Sequence, residues 1–164
     1  MDSKKTVILF VSYARANQRL ANRFITLFQE TIKPSKTYQY VFWQDTEILV
    51  GENWHAEIQT AIDSCHLGLL LISPSFLGSQ YITGKELPKF VGDQGKPVIP
   101  VMLQPVDLEL HDLKGLQEKQ IFRLDSERFQ HPKAFGECTG NQRDRFAMAL
   151  FRQVEKRLQR LQLK

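Results

Sequence analysis

Residues 6–11 read Thr-Val-Ile-Leu-Phe-Val, and Ser12-Tyr13-Ala14-Arg15 follow directly. A continuous apolar, β-branched run suits a strand buried on both faces of a parallel sheet. Outward from it, Leu20, Phe24, Leu27, Phe28 and Ile32 recur at helical spacing, and Pro34 stops that helix. Residues 39–43, QYVFW, form a second strand. Trp54, Ile58, Ala61, Ile62 and Cys65 are again helical. Residues 67–73, LGLLLIS, are a third buried strand. A Pro/Ser/Gly segment, Ser73–Ser79, separates it from a short helix near Lys85–Val91. Lys96–Met102 is a fourth strand, whose prolines fit a strand end or an edge. Residues 104–118 read as loop with a short helix, and Ile121–Leu124 as a fifth, short strand. Phe146, Leu150, Val154, Leu158 and Leu161 mark a closing amphipathic helix. This alternation predicts an α/β fold with a parallel sheet covered by helices. Ligands of such sheets bind beyond the carboxyl ends of the strands. The loops of interest are therefore Ser12–Ala16, Gln44–Asn53 and Ser73–Tyr81.

The chain has 164 residues, 42% of them hydrophobic and 24% charged. That suits one domain with its own core and excludes a disordered or disulfide-dense chain. We expect a single domain over 1–164, either whole or the amino-terminal part of a longer protein. The longest apolar runs, Val7–Val11 and Leu67–Ile72, fall far short of the roughly 20 residues of a spanning helix. Cys65 and Cys138 are distant lone thiols, which suits a reduced, cytoplasmic chain without disulfides. The net charge of +4 is mild and concentrated near the end, in Arg143, Arg145, Arg152, Lys156, Arg157 and Arg160. It reads as a solvated helix face before a phosphate-binding patch, so neither a membrane nor a nucleic acid is expected as partner.

Several chemistries are unsupported. No G-x-G-x-x-G follows the first strand, and no P-loop or G-x-S-x-G elbow occurs. The four histidines, His55, His66, His111 and His131, lack metal-ligand spacing, so no metal is implied. A receiver-type regulator would place acids after its first strand, where Ser12-Tyr13-Ala14-Arg15 stands.

What remains are polar and aromatic clusters at the strand ends: FVSYAR at 10–15, FWQDTEILVGENWHAEIQTAI at 42–62, ISPSFLGSQYITGKELPKF at 72–90, and PVIPVML at 97–103. In this order and spacing the sequence resembles the TIR (Toll/interleukin-1 receptor) domain family in its bacterial form, over about residues 6–160. The resemblance implies a flavodoxin-like fold: a five-stranded parallel sheet with helices on both faces.

It also implies two kinds of function. Some members assemble signalling complexes through TIR–TIR contacts. Others cleave the nicotinamide–ribose bond of NAD+ with a glutamate after the third strand, which by position is Glu86. NAD+ is then a substrate, and no cofactor is needed. Many members place Trp-Cys or Tyr-Cys ahead of the glutamate; here Tyr81-Ile82 stands there, with Thr83-Gly84-Lys85 between. One carboxylate suffices chemically, because nicotinamide leaves as a neutral molecule and needs no general acid. The carboxylate stabilises the oxocarbenium-like ribose. Tyr13, Arg15, Trp54 and Tyr81 are the expected substrate-binding residues: aromatic faces for the rings, and Arg15 for the pyrophosphate. In enzymatic relatives the loop after the second strand touches a neighbouring protomer. Here its expected interface residues are Asp45, Ile48, Leu49, Val50 and Gly51, an apolar run inside a loop. The expected partners are thus NAD+ and other TIR domains, with a homo-oligomer on activation in immune or cell-suicide signalling.

Other readings stay open at each residue. Thr83-x-x-Glu86 also reads as a capping box, with Pro88 uncomfortable in any helix begun before Gly84. Trp54 also begins an apolar stripe that core packing explains. Asp45 and Gly51 also suit a plain turn, and Arg15 a helix-start surface position. Besides the hydrolase, a non-catalytic TIR–TIR scaffold and a sensor of an ADP-ribose-like nucleotide fit the same loops.

Overall fold

A computed structural model describes residues 4–44, 54–92 and 94–161. The expected alternation is present: β1 (Lys5–Ser12), α1 (Gln18–Ile32), β2 (Tyr38–Gln44), α2 (Trp54–Ser64), β3 (Leu67–Ile72), α3 (Pro74–Gly78), β4 (Val98–Met102) and α4 (Gly140–Leu161). The strands pair in parallel in the order β2-β1-β3-β4. Strand β1 is central, and its two faces part cleanly. Val7, Leu9 and Val11 pack with Phe24 and Phe28 of α1 and Phe146 and Leu150 of α4. Phe10 points the other way, among Ile58 and Ile62 of α2, Phe76 of α3, and Phe90. This two-sided burial is why residues 6–11 carry no polar alternation. Each fully buried large side chain contributes about 1.5–3 kcal/mol.

Gly68 in β3 has a packing reason. A Cβ there would meet Phe90 Cε1 at 2.5 Å. The bare backbone admits the Phe90 ring, which stacks on Phe10 with centroids 5.9 Å apart.

The fifth strand expected at Ile121–Leu124 shrinks to one parallel bridge, Val101 to Phe122. Phe122 N donates to Pro100 O at 2.7 Å, and Met102 N donates to Phe122 O at 2.9 Å. The rung below would need an amide at residue 100 facing the carbonyl of residue 120, and proline has none. Above, Leu124 N is taken by Lys133 O at 2.9 Å. Pro100 thus leaves β4 as the edge of a four-stranded sheet, where a proline is tolerated.

Ser73–Ser79, expected as a plain separating segment, contains α3. The Ser73 hydroxyl accepts from Phe76 N at 3.0 Å, and Pro74 takes the first turn. That is the Ser-then-Pro pattern of a helix start. The short helix expected within 104–118 is one 3₁₀ turn, Leu116–Glu118.

Candidate functional site

Chain connections leave β1 toward β2 and β3 toward β4, so the topological switch point lies between β1 and β3. The crevice beyond their carboxyl ends is the expected ligand place of an open parallel sheet. Ser12 ends β1 and pairs in register with Leu70 of β3. It is fully buried, and its hydroxyl has no hydrogen-bond partner among the described residues. Across the crevice the Ser73 hydroxyl, also fully buried, donates to Asn17 Oδ1 at 2.6 Å. Tyr13 is buried against the α1 side. Arg15 is exposed at the start of a 3₁₀ turn, Arg15–Asn17. Asn17 is a residue the sequence reading missed. Beside it a small cavity of about 210 Å³ is lined by Arg19, Arg23 and Gln104, among others. The only sequence signal for this was two arginines four apart on α1.

Glu86 lies on the other face of the sheet, and it is fully buried. Its segment is not the capped helix that Thr83 suggested. The Ser79 hydroxyl caps it, accepting from Ile82 N at 3.2 Å, while Thr83 Oγ1 donates back to Ser79 O at 2.8 Å. Residues Ile82–Glu86 then form a π turn, with Leu87 N donating to Ile82 O, five residues back. A π turn is a one-residue insertion into an α-helix and recurs at functional sites. The wider ring brings residues five apart onto neighbouring turns. It therefore sets Tyr81, partly buried, nearer the azimuth of Glu86 than an α-helix would. It also settles Pro88. That residue falls in the following 3₁₀ turn, Leu87–Lys89, where no α-type bond from its nitrogen is required. Gln59 Nε2 of α2 donates to Lys85 O at 3.2 Å, which fixes the turn from outside.

The remaining expected residues divide. Trp54 opens α2, but its side chain lies outside those described. Asp45, Ile48, Leu49, Val50 and Gly51 lie outside the described residues altogether. The structure thus brings together Ser12, Asn17 and Ser73, with Tyr13 and Arg15 alongside, at the switch point. It places Glu86 and Tyr81 in the packed segment on the α2 side.

Cys65 is buried, and that burial pushes its thiol up to about 11; burial also raises Cys138. The imidazoles of His66 and His111 accept backbone amides, from Ile8 at 2.9 Å and Asp107 at 2.8 Å. Among the described residues no group of three or more metal-ligating side chains occurs, and no helix is long and apolar enough to cross a membrane.

The family model for the TIR domain matches residues 9–137, from the middle of β1 to just before α4. The match covers most of the chain, and the chain belongs to the TIR domain family. Membership carries a general role in signalling or in TIR–TIR contacts. No curated protein matches the chain.

Proposed function

We propose that the chain is a bacterial-type NAD+ glycohydrolase, switched on by self-association, in immune or cell-suicide signalling. One observation carries the reading. Glu86, the carboxylate that the family resemblance assigns to catalysis, is fully buried at the end of the π turn Ile82–Glu86. Burying a carboxylate is costly unless its surroundings are built for it. The reaction breaks the bond between ribose C1′ and the nicotinamide nitrogen, and the electron pair leaves with nicotinamide. Glu86 stabilises the cationic ribose, and water adds at C1′ with loss of a proton to give ADP-ribose. A ring nitrogen of the adenine in place of water gives the cyclic product.

Full burial also bears on regulation. Glu86 reaches a ribose only after its segment or its covering moves. A lone protomer is then weakly active, and a neighbour's contact at residues 45–51 supplies the opening. The same burial favours a second reading, in which Glu86 is structural and the domain is a TIR–TIR scaffold.

The deciding measurement is NAD+ consumption by dilute protein and by protein concentrated on a crowding surface, with Glu86→Gln alongside and products separated chromatographically. Loss that rises with density and vanishes in a folded Glu86→Gln variant is expected. A full rate in a strictly monomeric sample would remove the self-association step. Turnover surviving in Glu86→Gln would remove the residue assignment, and no turnover at any density would favour the scaffold.

A further inference from the structure

One cavity of the described chain lies away from the switch point. It has a volume of about 570 Å³ and opens between the edge of β4, residues 118–123 and α4. Its origin is the missing fifth strand: below Phe122 the chain departs from β4, because Pro100 has no amide to hold it. The apolar floor includes Ile99, Pro100, Ile121 and Phe122.

The walls are cationic. Lys119, Arg123, Lys156, Arg157 and Arg160 line the cleft, against two carboxylates, Glu118 and Asp125. Gln153, Lys156, Arg157 and Arg160 recur at three- and four-residue spacing, so one stripe of α4 faces the cleft. The adjoining stripe, Phe146, Leu150, Val154 and Leu158, is in the core. Lys119, Arg123 and Arg157 are half-buried. Neither of the ion pairs among the described residues involves any of the five cations. A solvated helix face would spread such charges outward. Here two separate chain segments converge them on one concavity, where like charges repel and the cleft walls focus the field. A counter-anion relieves that repulsion. Guanidinium forks match phosphate oxygens two at a time, and the volume suits a small ligand.

We propose that this cleft is a second binding site, for a small anion carrying two or more phosphate groups, separate from the crevice at the strand ends.

The test is calorimetric titration of the full chain with inorganic tripolyphosphate. One site per chain is expected, with orthophosphate weaker by about tenfold or more. Arg123→Gln with Arg157→Gln weakens tripolyphosphate by about tenfold or more, while Arg145→Gln with Arg152→Gln, on α4 outside the cleft, changes it by less than about twofold. If the cleft pair does not fold, Arg157→Lys serves instead: it keeps the charge, loses the fork and weakens binding measurably. Equal weakening by both pairs would mark diffuse surface charge and overturn the proposal. So would the absence of saturable heat, or tighter binding of a single-stranded oligonucleotide that several chains share.

Discussion

The Ser73 hydroxyl and Asn17 Oδ1 are 2.6 Å apart and tie the loop after β3 to the loop after β1 across the switch point. The same hydroxyl caps α3. Ser73→Ala therefore removes a cap and strands a polar partner, at a cost of about 2 kcal/mol. Ser12→Ala is the contrast. Its hydroxyl is buried without a partner among the described residues, so its removal is neutral or stabilising by up to about 1 kcal/mol. Urea midpoints of the two variants check the pair. Equal destabilisation would mean that the Ser73 bonds contribute nothing beyond packing.

Two glycines should respond in opposite directions. Gly68→Ala drives a Cβ into the Phe90 ring and costs about 1–3 kcal/mol. Gly84 lies exposed in the π turn with open space around it and no left-handed backbone angle. Gly84→Ala there stabilises by about 0.5–1 kcal/mol, by restricting the unfolded chain. Thermal unfolding of both variants reads the signs. A destabilised Gly84→Ala would argue against helical backbone at 82–86.

These local rules mark how far the sequence could be read. TVILFV, the Leu20–Ile32 stripe and the LGLLLI run declared their elements, because two-sided burial and helical burial leave unmistakable periods. Ile121–Leu124 had the composition of a strand and failed to become one, because the deciding residue, Pro100, sits on the partner strand. The π turn was illegible for a similar reason. Gly84 and Pro88 look like breakers in any window, and only the cap at Ser79 and the packing of Ile82 and Leu87 recruit them. Of the candidate site, Tyr13 and Arg15 stood out as polar residues at a strand end, and Glu86 was singled out by the family resemblance. Asn17 did not stand out, and the α4 cations read as a solvated helix face because Lys119 and Arg123 join Arg157 only after folding.

The pH dependence of stability has a specific source at the other sheet edge. Tyr40 in β2 donates to Glu155 Oε2 of α4, as Ser35 does at 2.8 Å. Burial first, then the Glu155 carboxylate, raises the Tyr40 phenol well above its usual range, and Tyr38 is raised in the same direction. A phenol raised on folding holds its proton more tightly in the native state. Its contribution is complete below about pH 10, the unfolded value, and is lost as pH rises beyond it. Tyr40→Phe should flatten the fall in urea midpoint between about pH 9 and 11, and cost about 1 kcal/mol at neutral pH from the lost bond. An unchanged alkaline slope would place the proton linkage elsewhere.

Pro100 links the fold to the cleft, and replacing it tests both. Pro100→Ala supplies the amide that faces the carbonyl of residue 120. The bridge at Phe122 can then extend by one rung, drawing residues 119–121 onto the β4 edge. The new bond is worth about 0.5–1.5 kcal/mol, and loss of the buried ring costs a similar amount, so the urea midpoint should scarcely move. The informative readout is hydrogen exchange, where a protected amide should appear at residue 100. Lys119 then shifts toward the sheet and the cleft narrows, so tripolyphosphate binding should weaken with all five cations still present. An amide at residue 100 that exchanges as fast as a loop amide would mean that proline is not what keeps the fifth strand from forming.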